Sequence, residues 1–352
     1  MKLNLLNSHI LIGAKSTTEH AINLPHLPAD ESIITVNNTQ YASYFCSLPE
    51  QFSNTNKVSR CIYLIKQLLL QVEHEGGEEP VDTPIFLLLP EFIEPFTHEP
   101  EVNDEEIHNH QTLAYFAREL KTALPFLFSH PQSQIFPFGR ASFPIALAAA
   151  KTLFEEIKKD DKLQQEANQT VTFISVDTLW YDIPKIIADN ALVSSESDQG
   201  IIPSEGAILC QIQPANEGIN IEFIQNSVAP SKQLNSTIEL LFNESVTHLQ
   251  NKKDEQTKAG MFTHLYLPGN GNEKLHNSWL DAYFQLSQCI DERTSICQTG
   301  LFTGELGCLT GLYNFLHIIN GYKLEYLQGN VLQLEVSDTL HQGVVLYSWD
   351  EA

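Results

Sequence analysis

The stretch GIIPSEGAILCQ, residues 200–211, sets a glycine, a proline and a Ser-Glu-Gly turn directly before an apolar run. Glycine and proline punctuate a chain, and a short apolar run bounded by them reads as a buried strand, here AILCQIQP at 207–214. Why an acidic, glycine-flanked turn should open onto a buried strand depends on what surrounds it. On its N-terminal side, TVTFISVDTLW (170–180) reads as a strand ending in a turn at Asp177, and IPKIIADNALVS as a short helix. On its C-terminal side, INIEFIQNSV (219–228) reads as another strand.

Further out, the same alternation continues, which is the pattern of an α/β protein. HILIGA (9–14) reads as a first strand, SRCIYLIKQLLLQVEHEG (59–76) as an amphipathic helix, and TPIFLLLP (83–90) as a strand covered on both faces. Residues 94–110 are acidic and rich in turn formers, so His108 and His110 beside Asp104, Glu105 and Glu106 read as a solvated loop ahead of a helix over 111–128. FGRASFPIALAAAKTLFEEIKK (138–159) is apolar on every face at its start and rich in alanine. Such a helix is buried, with Ser142 and Pro144 at its first turn and its positive dipole end pointing inward.

The second half repeats the scheme with a helix over 234–250, a strand over 261–268, a helix over 277–290, a glycine-entered apolar helix over 300–321, and strands at 330–338 and 343–349. The order of elements therefore implies a duplicated unit, with halves at 1–215 and 216–352.

Composition narrows the function. The chain has 352 residues, with 20 Lys+Arg against 44 Asp+Glu, a net charge of −24. So acidic a surface repels phosphate backbones and anionic membranes, which argues against a nucleic-acid partner. The six cysteines contain no C-x-x-C pair, so a disulfide framework, a zinc site or another metal or cofactor is not expected, and a reducing, cytoplasmic setting is. No apolar stretch approaches the roughly 20 residues that span a bilayer, and the N-terminus lacks the apolar core and cleavage site of a signal peptide.

The segment SVDTLWYDIPKIIADNALVSSESDQGIIPSEGAILCQI (175–212) resembles the β-ketoacyl synthases of the thiolase superfamily. There, a G-x-D-S turn precedes a short helix and a G-F-x-P-G-E-G-A turn. This chain matches with Asp177, Gly200, Pro203, Glu205, Gly206 and Ala207, and has Ser204 where the family has glycine. The resemblance implies a five-layer α-β-α-β-α sandwich and gives Glu205 the task of bracing the turn. It also likens the helix from Ser142 to the nucleophile helix, and TGELGCLTG (303–311), with Gly304 and Gly311, to the G-H-x-x-x-A-A-G segment.

Condensing chemistry needs a thiolate at a helix start and two histidines, or a histidine and an asparagine, to polarise a thioester carbonyl. By the resemblance, the nucleophile position has no cysteine and Ser142 is the nearest candidate. The first histidine falls on Pro268, the second on Glu305, and a lysine carried by many members on Gly300. The C-terminal glycine pair is reduced to LHQG (340–343), with His341 near the expected pocket mouth and Gly343 closing it. The expectation is a non-catalytic ketosynthase-like binding or scaffold protein that pairs with a protein partner, as a homodimer or heterodimer, or holds an acyl ligand or protein client. One alternative is a serine acyltransferase, condensing enzyme or hydrolase built on Ser142 with Glu305 or His341. Another is an adaptor in a bacterial secretion or biosynthetic cluster.

Overall fold

In a computed structural model, residues 1–13, 17–23, 30–36, 39–48, 56–77, 80, 82–91, 113–159, 169–193, 199–252 and 261–350 are described. The segment with His108 and His110, for which the sequence suggests a solvated loop, lies outside them.

Among the described residues there are twelve strands: β1 (Lys2–Ile12), β2 (Asp30–Val36), β3 (Thr39–Phe45), β4 (Ile85–Leu88), β5 (Gln134–Phe136), β6 (Val171–Thr178), β7 (Glu205–Pro214), β8 (Gly218–Val228), β9 (Phe262–Tyr266), β10 (Ser295–Cys297), β11 (Asn330–Val336) and β12 (His341–Asp350). The helices are α1 (Thr18–Ile22), α2 (Lys57–His74), α3 (Leu113–Ala123), α4 (Ser142–Lys159), α5 (Ile183–Ala188), α6 (Leu234–Lys252), α7 (Glu273–Leu280), α8 (Gly300–Thr303) and α9 (Thr310–Lys323).

Ten strands run in the order β10-β9-β11-β12-β8-β1-β7-β6-β4-β5. Read outward from the centre, β1-β7-β6-β4-β5 and β8-β12-β11-β9-β10 visit their own strands in the same sequence. The directions match as well: β4 lies parallel to β5 and β6, as β9 does to β10 and β11, while β7 and β12 run antiparallel to both their neighbours. The order of elements thus reflects a repeat in three dimensions. At the centre of the sheet β1 meets β8 in the register Lys2↔Asn220 and Leu3↔Ile219.

The layers follow from the period of two along each strand. On β4, Phe86 and Leu88 face one core while Ile85 and Leu87 face another. The shared inner core joins α4 and α9 to both sheets, through Phe143, Ala146 and Phe315 against Phe173, Val345 and Tyr347. The outer core of the first half lies under α2 and α3, and that of the second under α6 and α7. The result is five layers, α-β-α-β-α, with α4 and α9 sandwiched at the centre as their all-round apolar starts require.

Several boundaries differ from the sequence expectation. The helix expected over 300–321 is two helices, α8 and α9, separated by residues 304–309, because Gly304 (φ 71°) and Gly307 (φ 59°) turn left-handed. The helix expected over 277–290 starts earlier, where the Asn272 side chain caps Lys274 N, and gives way to a 3-10 turn after Leu280. The helix expected over 111–128 stops at Ala123, because Pro125 opens a 3-10 turn. The first strand begins at Lys2 rather than His9, and the β2–β3 hairpin was not foreseen.

The central helices approach closely at Gly311. A Cβ there would lie 2.8 Å from Phe143 Cβ and 3.1 Å from the Arg140 carbonyl. Replacing a helical glycine by alanine usually helps by about 1 kcal/mol, whereas overpacking a filled core costs about 1–3 kcal/mol. Gly311→Ala is therefore expected to destabilise the protein, read as a lower urea midpoint at unchanged slope. A raised midpoint would show that α4 and α9 can part freely.

Candidate functional site

The turn before β7 is anchored from within. Glu205 is fully buried and receives the Arg60 guanidinium at both oxygens, with Nε–Oε2 at 2.9 Å. Leu48 N donates to Oε1 at 3.2 Å and the Thr178 hydroxyl to Oε2 at 3.1 Å. Ser204 donates to the Cys46 carbonyl at 3.2 Å. A Cβ on Gly206 would collide with the Leu11 carbonyl oxygen, so β7 can lie against β1 only with glycine there. The turn also receives the break between α8 and α9: Glu305 N donates to Ile202 O at 2.8 Å and Ser204 N to Glu305 O at 3.1 Å. Gly304 lies so close that a Cβ would come within 2.8 Å of Ile202 O. The acidic turn thus holds Arg60 on one side and positions Glu305 on the other.

Glu305 faces a pocket of about 250 Å³. At its floor the buried Arg140 guanidinium meets Glu305 Oε2 at 3.3 Å, Asp338 Oδ1 and, through Nε, the Val336 carbonyl at 2.8 Å. The Asn270 amide donates to Glu305 Oε2, and Gly307 N donates to Oε1 at 2.8 Å. Burial works against the Arg140 charge, but Asp338 and Glu305 outweigh it and hold the guanidinium firmly protonated. A second cluster sets Lys57 Nζ 3.0 Å from Asp177 and 2.7 Å from Asp182. Here too the two carboxylates overcome burial and keep the ammonium charged. Asp177 also accepts Cys308 N at 3.1 Å and Thr178 N at 2.8 Å.

The residues singled out from sequence fall into two groups. Glu305 and Asp177 line the pocket. Ser142 is buried: its hydroxyl donates to Phe136 O at 2.7 Å and Leu89 O at 3.3 Å, and accepts Phe138 N at 2.9 Å. It thus ties the helix start to the strand ends and does not cap its own helix, and among the described residues no acid or histidine side chain hydrogen-bonds it. Pro268 is buried outside the pocket wall, its carbonyl accepting Trp279 Nε1 at 2.7 Å and Gln298 Nε2 at 3.2 Å. Asn270, two residues on, is the one that enters the pocket. His341 lies outside the lining, with its ring 4.5 Å from that of Phe138. Gly343 lets β12 pass the first turn of α4, where a Cβ would come within 2.6 Å of Pro144 Cγ. Cys308 reaches the pocket wall, but burial pushes its thiol well up and Sγ donates to Val176 O at 3.1 Å. Among the described residues no group of three or more His, Cys, Asp or Glu could hold a metal ion.

Arg140, Lys57, Asn270 and Asp338 were not anticipated. Arg140 did carry a signal, as the one charge within the otherwise uncharged FGRASF segment.

A further buried acid lies behind the pocket. Glu335 Oε1 accepts Asn314 and Gln333 amides, each at 2.8 Å, while Oε2 has no hydrogen-bond partner among the described residues. Burial pushes this carboxyl up to about 7.

No family model and no curated protein sequence matches this chain. Solved structures do. A chain of the ketosynthase ApeO in complex with its chain length factor ApeC, from Xenorhabdus doucetiae, superposes with a TM-score of 0.65 at 10% identity, over 99% of this chain and 98% of that one. A ketosynthase domain of the oxazolomycin synthase from Streptomyces albus gives 0.66 at 10% identity, over 99% and 74%. The ishigamide ketosynthase/chain length factor gives 0.59 at 11% identity, covering 100% of both chains. The fold is that of the thiolase-like ketosynthases.

Two outcomes follow from these contacts. Removing one member of a buried ion pair strands the other, at about 3–5 kcal/mol. Arg60→Met should lower stability by that order in urea titration, and adding Glu205→Gln should restore part of it. The Glu335 carboxyl is held protonated in the fold above the pH at which it ionises in the unfolded chain, so the native state binds more protons between about 4.5 and about 7. Stability should therefore fall as pH rises through that window and level off above it. Glu335→Gln should remove a drop of roughly 3 kcal/mol, at about 1.4 kcal/mol for each tenfold change in proton affinity. Parallel stability–pH curves for the two proteins would refute the assignment.

Proposed function

We propose that this chain is a ketosynthase-fold protein that acts by binding rather than by condensation, and that it works paired with a second protein. The observation that carries the reading is the state of the pocket floor. Glu305, where the resemblance places a histidine, is locked to Arg140, Asn270 and Gly307 N. An ionised carboxylate there opposes the negative charge that builds up on an enolate. The Ser142 hydroxyl, where the resemblance places the nucleophile, is occupied by backbone carbonyls. A serine needs a base within hydrogen-bond reach to attack a thioester, and the described structure supplies none.

Apolar side chains, among them Leu179, Ile186, Ile201, Leu234 and Leu275, share the pocket lining with the charged groups, so an acyl ligand stays within this reading beside a protein partner. The similar structure from Xenorhabdus holds a ketosynthase with its chain length factor, which supports a partner of the same fold. An adaptor role for a protein client belongs to the same reading. In it the halves divide at 215/216, between β7 and β8. Among the described residues no helix is long and apolar enough to cross a membrane.

Intact-mass spectrometry after incubation with a panel of acyl thioesters tests the first part. No adduct is expected, and an acyl group mapped to Ser142 would establish a serine acyltransferase or hydrolase instead. Sedimentation velocity tests the second part. The purified chain is expected as a dimer, or as a monomer that shifts to a heterodimer when mixed with a ketosynthase from the same cell. A monomer that ignores those ketosynthases would refute the pairing.

A further inference from the structure

The two carboxylates on Arg140 differ in kind. Glu305 is buried and also receives the Asn270 amide and Gly307 N, whereas Asp338 stands on the turn between β11 and β12 with 61% of its side chain exposed. Asp338 is the partner that water can replace at little cost.

A third carboxyl lies behind these two. Glu335, 1% exposed, directly precedes Val336, whose carbonyl accepts Arg140 Nε at 2.8 Å. Glu335 and Arg140 also press on one point of α9: a Cβ on Gly311 would come within 3.4 Å of Glu335 Cγ and 3.1 Å of the Arg140 carbonyl oxygen. Glu335 Oε1 accepts the Asn314 amide from α9 and the Gln333 amide from β11, while Oε2 has no hydrogen-bond partner among the described residues. A buried ionised carboxylate needs donors on both oxygens, so an oxygen left without one marks the protonated acid. Two charged groups act on this carboxyl: Arg140 favours its ionisation and Glu305 opposes it. The titratable Tyr347 phenol of β12 joins the same network, donating to Gln333 Oε1 at 2.7 Å.

We propose that the proton on Glu335 keeps Asp338 latched to Arg140. When that proton leaves to solvent, a third carboxylate competes for the guanidinium, and the exposed Asp338 is the one that departs into water. The turn backbone stays in place, because Glu91 accepts Asp338 N at 3.1 Å and the Thr339 hydroxyl at 2.6 Å. What changes is the pocket, which Arg140, Glu305 and Asp338 all line: above the switching pH it presents a free carboxylate at its mouth. Burial pushes the Glu335 carboxyl up to about 7, so the latch is closed in mild acid and open in mild base. The device stands whether or not the chain pairs with another.

Carboxyl carbon-13 NMR of the full chain between pH 5.5 and 8.5 tests this, with Asp338→Asn and Glu335→Gln assigning the two signals. Glu335 is expected to titrate near 7. The Asp338 signal, from a group that Arg140 already keeps ionised, should move with the same midpoint. It should cover more than half the distance to the position of a solvated aspartate, and stay fixed in Glu335→Gln. A Glu335 that does not titrate in this range, a smaller Asp338 movement, or an equal movement in Glu335→Gln would each overturn the proposal. If Glu335→Gln does not fold, Glu335→Met, similar in size and without a proton to lose, takes its place with the same expectations.

Discussion

A guanidinium taken out of water must be met by opposite charge, and Arg140 imposes that demand at the centre of the molecule. Its side chain leaves the start of α4 between the two halves, so its partners have to come from elsewhere. The break between α8 and α9 delivers Glu305, which the Asn270 amide from the loop after β9 also holds, and the end of β11 and the turn after it deliver the Val336 carbonyl and Asp338. Two separate segments converge on one positive charge. Arg140, Glu305 and Asp338 thus form one ionic network at the pocket.

The same logic runs through the neighbouring clusters. Glu205 is satisfied by Arg60, and Lys57 by Asp177 and Asp182. Asp177 in turn accepts the backbone of Cys308, so the two ends of the pocket are mechanically joined. Breaking one member leaves a buried charge, which is why the site resists piecemeal change.

The sequence shows the layers well because burial leaves a periodic signature. β4, covered on both faces, reads as a continuous apolar run, and the alanines of α4 mark a helix packed on all sides. The acidic turn at 203–206 was legible through its Pro-x-Glu-Gly spacing. What could not be read was any feature made by distant residues. Lys57 meets Asp177 from 120 positions away, and no local pattern marks either as half of a pair. Gly304 and Gly307 were visible in the sequence, yet a helix tolerates isolated glycines. Only the docking of residues 304–305 on the 202–204 segment decides that the chain breaks there. The β2–β3 hairpin was not legible because Asn37-Asn38, between its strands, lacks the glycine that marks a two-residue hairpin turn.

β1 has a consequence for how the protein is made. Its neighbours in the sheet are β7 and β8, at residues 206–214 and 219–220. On a ribosome adding 5–20 residues per second, the first strand waits roughly 10–40 s for its partners. During that interval Ile10, Leu11 and Ile12, all buried in the finished protein, have no sheet to join. The central seam of the fold is therefore among the last parts of the N-terminal half to close, and the nascent chain is a natural client for a chaperone.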